Sequence, residues 1–210
     1  MKIKLLLTGV SVLILSSCGP KIYQAGNLEN SRNSIKTVAI LPFLVSFKGK
    51  ILPKGVTVET QKKSEERRGY NMQCAAYTWL LKRQGEYTTG FQDVDQTNAL
   101  LEKANIPLDS LHLMDKGELC RLLNVDAVIS GKAISSKPVS DGAAFAMIVV
   151  LGGAGTTTNK TVLTLSIHNG NNDLLWTYDY TAAGGYGSTS KELTNALMKS
   201  ASKKFSYKTN

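Results

Sequence analysis

The segment TVLTLSIHNGNNDLLWTYDY, residues 161–180, carries two alternating runs joined by turn-forming residues. In the first run Leu163, Leu165 and Ile167 share one phase, and Thr164 and Ser166 the other. Side chains along a strand point alternately to its two faces, so this run reads as a strand with one buried and one polar face. The second run places Leu174, Trp176, Tyr178 and Tyr180 in one phase. The Asn, Gly and Asp residues between them tolerate the backbone conformations of a reversal. Together the runs predict an antiparallel hairpin.

Further from the hairpin, two apolar stretches read as strands buried on both faces: KTVAILPF at 36–43 and VDAVISGKAI at 125–134. EYTTGFQDV at 86–94, interrupted by Gly90, reads as a short edge strand. Residues 62–83 predict a helix with Tyr70, Cys74, Tyr77 and Leu81 on one stripe. Its lead-in mixes Lys62, Lys63, Arg67 and Arg68 with Glu65 and Glu66, as a solvated face does. Asp95 is placed to cap QTNALLEKA, and Asp115 to cap KGELCRLL. Thr189 and Glu192 form a capping box ahead of a stripe of Leu193, Leu197, Ala201 and Phe205. The order β-α-β-α-α-β-β-β-α implies an α/β fold: a single domain with a mixed sheet flanked by helices.

The chain opens with Lys2 and Lys4, then an apolar run from Leu5 to Leu15. That run falls well short of the about 20 residues a spanning helix needs. A basic start followed by a short apolar core is the pattern of a secretory signal peptide. The run ends in Leu15-Ser16-Ser17-Cys18, which resembles the lipobox of bacterial lipoproteins. The resemblance implies cleavage before Cys18 and lipid on its thiol, so residues 1–17 are expected to be removed. Residues 18–35 include GNLENSRNS, polar and without an apolar period, and are expected to form a flexible tether before a domain spanning 36–207. A tether of that length would hold the domain about 20 Å from the lipid.

Removing residues 1–17 leaves 23 basic and 16 acidic residues, a net charge of +7. A basic envelope protein can meet anionic lipid, glycan or an acidic partner; no motif points to nucleic acid. Cys74 and Cys120 are expected to be buried free thiols, both lying in helix-like apolar patterns. His112 and His168 stand apart from any nucleophile motif and read as structural. GGAGTTTNKT at 152–161 departs from a phosphate loop, with Asn159 where the second glycine belongs and a strand following. In GGYGSTS at 184–190, the capping box accounts for the hydroxyls. No catalytic, cofactor-binding or metal-ligating set is expected, and no small-molecule substrate.

The apolar stretch AAFAMIVVLGGAG at 143–155 fits none of these elements. It is too short to span a membrane as a helix and does not alternate like a barrel strand. Three readings stand open: core, membrane contact, or an interaction patch of Phe145, Met147, Ile148, Val149, Val150 and Leu151.

Taken together, TVAILPF after a lipobox, LLNVDAVISGKA after a helix, the late hairpin and a terminal helix ending KKFSY resemble one group of bacterial envelope lipoproteins. These are relatives of the curli secretion component and of the lipoprotein activators of penicillin-binding proteins. The resemblance implies an anticodon-binding-domain-like α/β fold used for protein contacts, with no catalytic residues. Gly19, where an aspartate would retain a lipoprotein in the inner membrane, implies the outer membrane. The absence of an acidic run after Cys18 implies a domain facing the periplasm. The expected function is therefore non-enzymatic: a lipid-anchored protein that binds an envelope protein or self-assembles. The alternatives are a component of a secretion or export assembly, or a periplasmic activator of a cell-wall synthesis enzyme.

Overall fold

The computed structural model of the chain describes residues 19–48, 57–136, 159–184 and 189–208. In chain order the elements are β1 (Lys21–Gln24), α1 (Leu28–Arg32), β2 (Thr37–Ile40), β3 (Leu44–Lys48) and α2 (Val58–Leu81). After a 3-10 turn at Gln84–Glu86 come β4 (Gly90–Phe91), α3 (Val94–Lys103) and α4 (Lys116–Leu123). The rest are β5 (Ala127–Ser136), β6 (Asn159–Asn169), β7 (Leu174–Gly184) and α5 (Ser190–Lys203).

The strands form one mixed, seven-stranded sheet in the order β1-β7-β6-β5-β2-β4, with β3 also paired to β5. The β6–β7 hairpin is antiparallel, β5 and β1 flank it antiparallel, and β2, β3 and β4 run parallel to β5. The predicted α/β class with a mixed sheet flanked by helices is the fold observed.

The strand predicted over 36–43 is one half of a longer, broken strand. Ile40 lies beside Ile129 and Leu44 beside Lys132, so Leu41, Pro42 and Phe43 span only Ser130 and Gly131. One extra residue bulges out where Pro42, lacking an N–H, cannot extend the ladder. Helix α2 closes over this bulge. The Phe43 N–H donates to the Gly69 carbonyl at 3.3 Å, and Gln73 Nε2 donates to the Ile40 carbonyl at 2.7 Å.

Alternation sorts the side chains into two cores. Val38, Ile40, Ile129, Leu163, Leu165, Ile167, Trp176 and Tyr178 face α2 and α5, whose Met72, Ala76, Leu80, Leu193, Leu197 and Ala201 are buried against them. Ala39, Leu41 and Val128 point the other way, onto Leu101, Leu119, Cys120 and Leu123 of α3 and α4.

Four expectations are corrected. Residues 18–35 are not a flexible tether throughout: Lys21–Gln24 pair with β7, and Leu28 and Ile35 are each 3% exposed in the main core. The polar composition hid two apolar anchors spaced one short helix apart. In α2 the buried stripe is Gly69, Met72, Gln73, Ala76 and Leu80, while Tyr70, Cys74 and Leu81 are exposed. Both stripes fit a helical period, but only the one holding Gly69 and Gln73 can approach and satisfy the bulged backbone. In the hairpin a bulge beside Ile167 and His168 lets Leu175 enter the core and leaves Leu174 exposed. Helix α3 is capped by Asp93, whose Oδ1 accepts the Asp95 N–H at 2.8 Å, two residues earlier than expected. The caps at Asp115 and at Thr189 with Glu192 form as predicted.

Candidate functional site

The polar phase of the hairpin defines an open, partly exposed surface among the described residues. Helices α3 and α4 cover the sheet over β2, the start of β5 and the end of β6, and no described helix covers this face from the middle of β5 and β6 across β7 to β1. Its side chains lie in cross-strand rows. One row runs Ser130, Ser166, Thr177 and Tyr23, and the next runs Lys132, Thr164, Asp179 and Lys21. Tyr23 is 53% exposed, and Lys132 and Lys21 are exposed. Directly opposed charges such as Asp179 and Lys21 are the sheet's version of a helix ion pair. A partner would meet hydroxyls, one aromatic ring and alternating charge, a chemistry suited to protein contact.

His168 marks the margin of this face, opposite Val128 where the cover of α4 ends. Burial lowers its pKa below the ordinary histidine value; the Lys116 ammonium adds to the effect and Asp115 opposes it. A neutral imidazole with an unpartnered Nδ1 results. Lys116 is itself buried, its Nζ donating to the carbonyls of Leu111 at 2.9 Å, Met114 at 2.8 Å and His112 at 3.3 Å. It holds the 107–115 loop in place, and His112 on that loop is exposed. Burial pushes the Cys120 thiol up to about 11, and burial with Asp95 beside it also raises Cys74. Neither is a ready thiolate at neutral pH. The expected burial holds for Cys120 alone; both are free thiols.

An open cleft of about 430 Å³ lies at the end of the sheet where β5 begins, lined in part by Ser34, Cys120, Asn124, Asp126 and Gly170. Its main charge is committed to structure: Asp126 Oδ2 accepts the N–H groups of Lys36 and Thr37 at 2.8 and 2.9 Å. Among the described residues no group of His, Cys, Asp or Glu is placed to hold a metal, and no helix is long and apolar enough to cross a membrane.

Cys18 and the patch of Phe145, Met147, Ile148, Val149, Val150 and Leu151 lie outside the described residues. The chain leaves β5 at Ser136 and re-enters β6 at Asn159, at the same end of the sheet. Sequence reasoning missed the open face as a site, although Thr164, Ser166, Thr177 and Asp179 are the polar phase of the alternation that revealed the hairpin. It missed β1 because all four of its residues are exposed and offer no apolar period.

No protein-family model matches the chain, and no curated protein matches it. Among solved structures it is similar to the PelC dodecamer from Paraburkholderia phytofirmans, at 12% identity over 87% of this chain and 96% of that one, with a TM-score of 0.44. It is also similar to lipoprotein GNA1162 from Neisseria meningitidis, at 9% identity over 80% and 94% of the two chains, with a TM-score of 0.43. A third is the LpoB C-terminal domain from Salmonella enterica, at 8% identity over 71% and 83%, with a TM-score of 0.38. At such identities the likeness is structural only.

Proposed function

We propose that the protein is a non-enzymatic, lipid-anchored envelope protein that acts through contacts with other proteins or with copies of itself. Lipid on Cys18 holds it in the outer membrane, with the domain facing the periplasm. The observation that supports this reading best is the half of the sheet left uncovered among the described residues, where Ser130, Ser166, Thr177 and Tyr23 lie in one row. An anchor confines that face to a thin layer and raises its effective concentration toward membrane-bound partners without any added contact. The apolar side chains of Phe145 to Leu151 supply a second contact.

Crosslinking with mass spectrometry in intact cells tests the reading. Ser166→Arg with Tyr23→Glu places two bulky side chains of opposite charge on the open face, not directly opposed and away from either core. The double variant should lose the dominant crosslinks to its partner or to a second copy while its melting temperature stays close to wild type. Unchanged crosslinks would remove this face as the contact surface. Separately, Cys18→Ala should abolish incorporation of a labelled fatty acid, and wild-type protein that incorporates none would end the anchor reading.

A further inference from the structure

Strand β1 brings the anchor position close to the fold. Lys21 pairs with Asp179, and Gly19 and Pro20 continue from it without helix or turn. Two residues, Gly19 and Pro20, separate Lys21 from Cys18, three Cα–Cα steps with a reach of about 10 Å at full extension. Because β1 runs antiparallel to β7, that path leads toward the end of the sheet where β7 finishes, β3 and β5 end and β6 begins. The row Lys48, Ser136, Lys160 and Ala183 crosses the sheet there. It lies four residues beyond the row holding Lys21, or about 13 Å. Cys18 therefore reaches to within about one residue of this rim.

The rim has the chemistry of a surface for anionic headgroups. Lys48 and Lys160 are both exposed. No Asp or Glu lies in the four outermost of the rows shared by β3, β5, β6 and β7. Helix α2 runs back along β3, Glu65 reaching the Phe47 N–H and Gly69 the Phe43 N–H, so Val58 at its start projects past the rim. Val58 is 75% exposed. The neighbouring acids are engaged locally: Glu59 with Lys63 at 2.8 Å, and Glu192 in the cap of α5 with the Thr189 N–H at 2.7 Å.

We propose that this rim, with Lys48, Lys160 and the exposed Val58, rests on the bilayer that holds Cys18, its lysines against anionic phospholipid headgroups. The inference rests on the reading of Cys18 as lipid-bearing. The domain then stands on its β3–β5–β6 end and turns the opposite end, with Asn124, Gly170 and Lys204, away from the membrane.

The full lipidated protein is reconstituted in vesicles of phosphatidylethanolamine and phosphatidylglycerol that carry a photoactivatable headgroup, and crosslinked peptides are mapped by mass spectrometry. Crosslinks should concentrate on the peptides holding Lys48, Val58 and Lys160. The double variant K48E/K160E should lower their yield about fivefold or more for each reversed charge. If that variant does not fold, K48Q/K160Q serves in its place. Crosslinks centred on Asn124, Gly170 or Lys204, or a yield indifferent to the charge changes, would overturn the orientation. Intact mass separates the two layers of the argument: protein carrying lipid but crosslinked elsewhere overturns the orientation alone. Protein without lipid overturns the anchor and this proposal with it.

Discussion

Phe43 sits where three elements converge, and two glycines make room for it. A Cβ on Gly69 would overlap the Phe43 carbonyl, and one on Gly131 would fall within 2.6 Å of its ring. Gly69→Ala gains helix propensity but must push α2 off the bulge, so a net loss of about 1–3 kcal/mol is expected. A melting curve that rises instead would show that the helix can shift without cost. Gln73, fully buried, bonds the Ile40 carbonyl and Asn98. Its replacement by leucine strands that carbonyl and should cost about 1–3 kcal/mol in denaturant unfolding. His168 carries a pH signature. Its folded pKa is depressed by burial, then by Lys116. Below about 6.5 the unfolded chain therefore binds more protons, and stability falls as pH falls. His168→Gln should flatten the decline in melting temperature between about pH 7 and about pH 5; an identical slope in both proteins would assign it to other groups.

At the scale of elements, legibility followed the number of faces a segment buries. The terminal helix α5 was readable in full, because its cap is chemically explicit and its stripe of Leu193, Leu197, Ala201 and Phe205 is all buried. The β6 half of the hairpin was equally plain. Its β7 half slipped because Leu174 and Leu175 are both leucine, and only the bulge decides which is buried. Helix α2 offered two apolar stripes, and the choice lay in contacts with a bulge that no local pattern announces. The N-terminal segment was missed for the opposite reason: β1 is stabilised by backbone bonds, as in the Ala25 N–H donating to the Leu175 carbonyl at 2.9 Å. If that segment is integral, Leu28→Ala should destabilise the domain by about 2–5 kcal/mol, as a core leucine does. A true tether would tolerate the change with no shift in melting temperature.

Across the whole molecule, the described helices cover both faces of one half of the sheet and one face of the other. The covered half holds β2 and the start of β5 between α2 and the α3–α4 pair. The open half holds β6, β7 and β1, and it was legible as polar alternation without being legible as a site. Composition and motif reading reached the fold class; they could not reach strand register, on which the proposed orientation of the domain depends. For the proposed anchor at Cys18, register makes the residues before Lys21 a short leash.

The Glu65 carboxylate bears on how the sheet can grow. Its Oε1 accepts the Phe47 N–H at 2.8 Å and is steadied by Gln61 Nε2 at 3.2 Å, so a side chain occupies the place a foreign strand would take on β3. At the same side of the sheet β4 is only two residues long, too short to template a pairing. The β1 edge alone remains for strand addition among the described residues. Head-to-tail propagation needs two complementary edges, whereas a single free edge can meet only its own copy about a two-fold axis. Copies joined by backbone would therefore stop at a pair, and the carboxylate that seals β3 acts as a terminator against endless polymerisation.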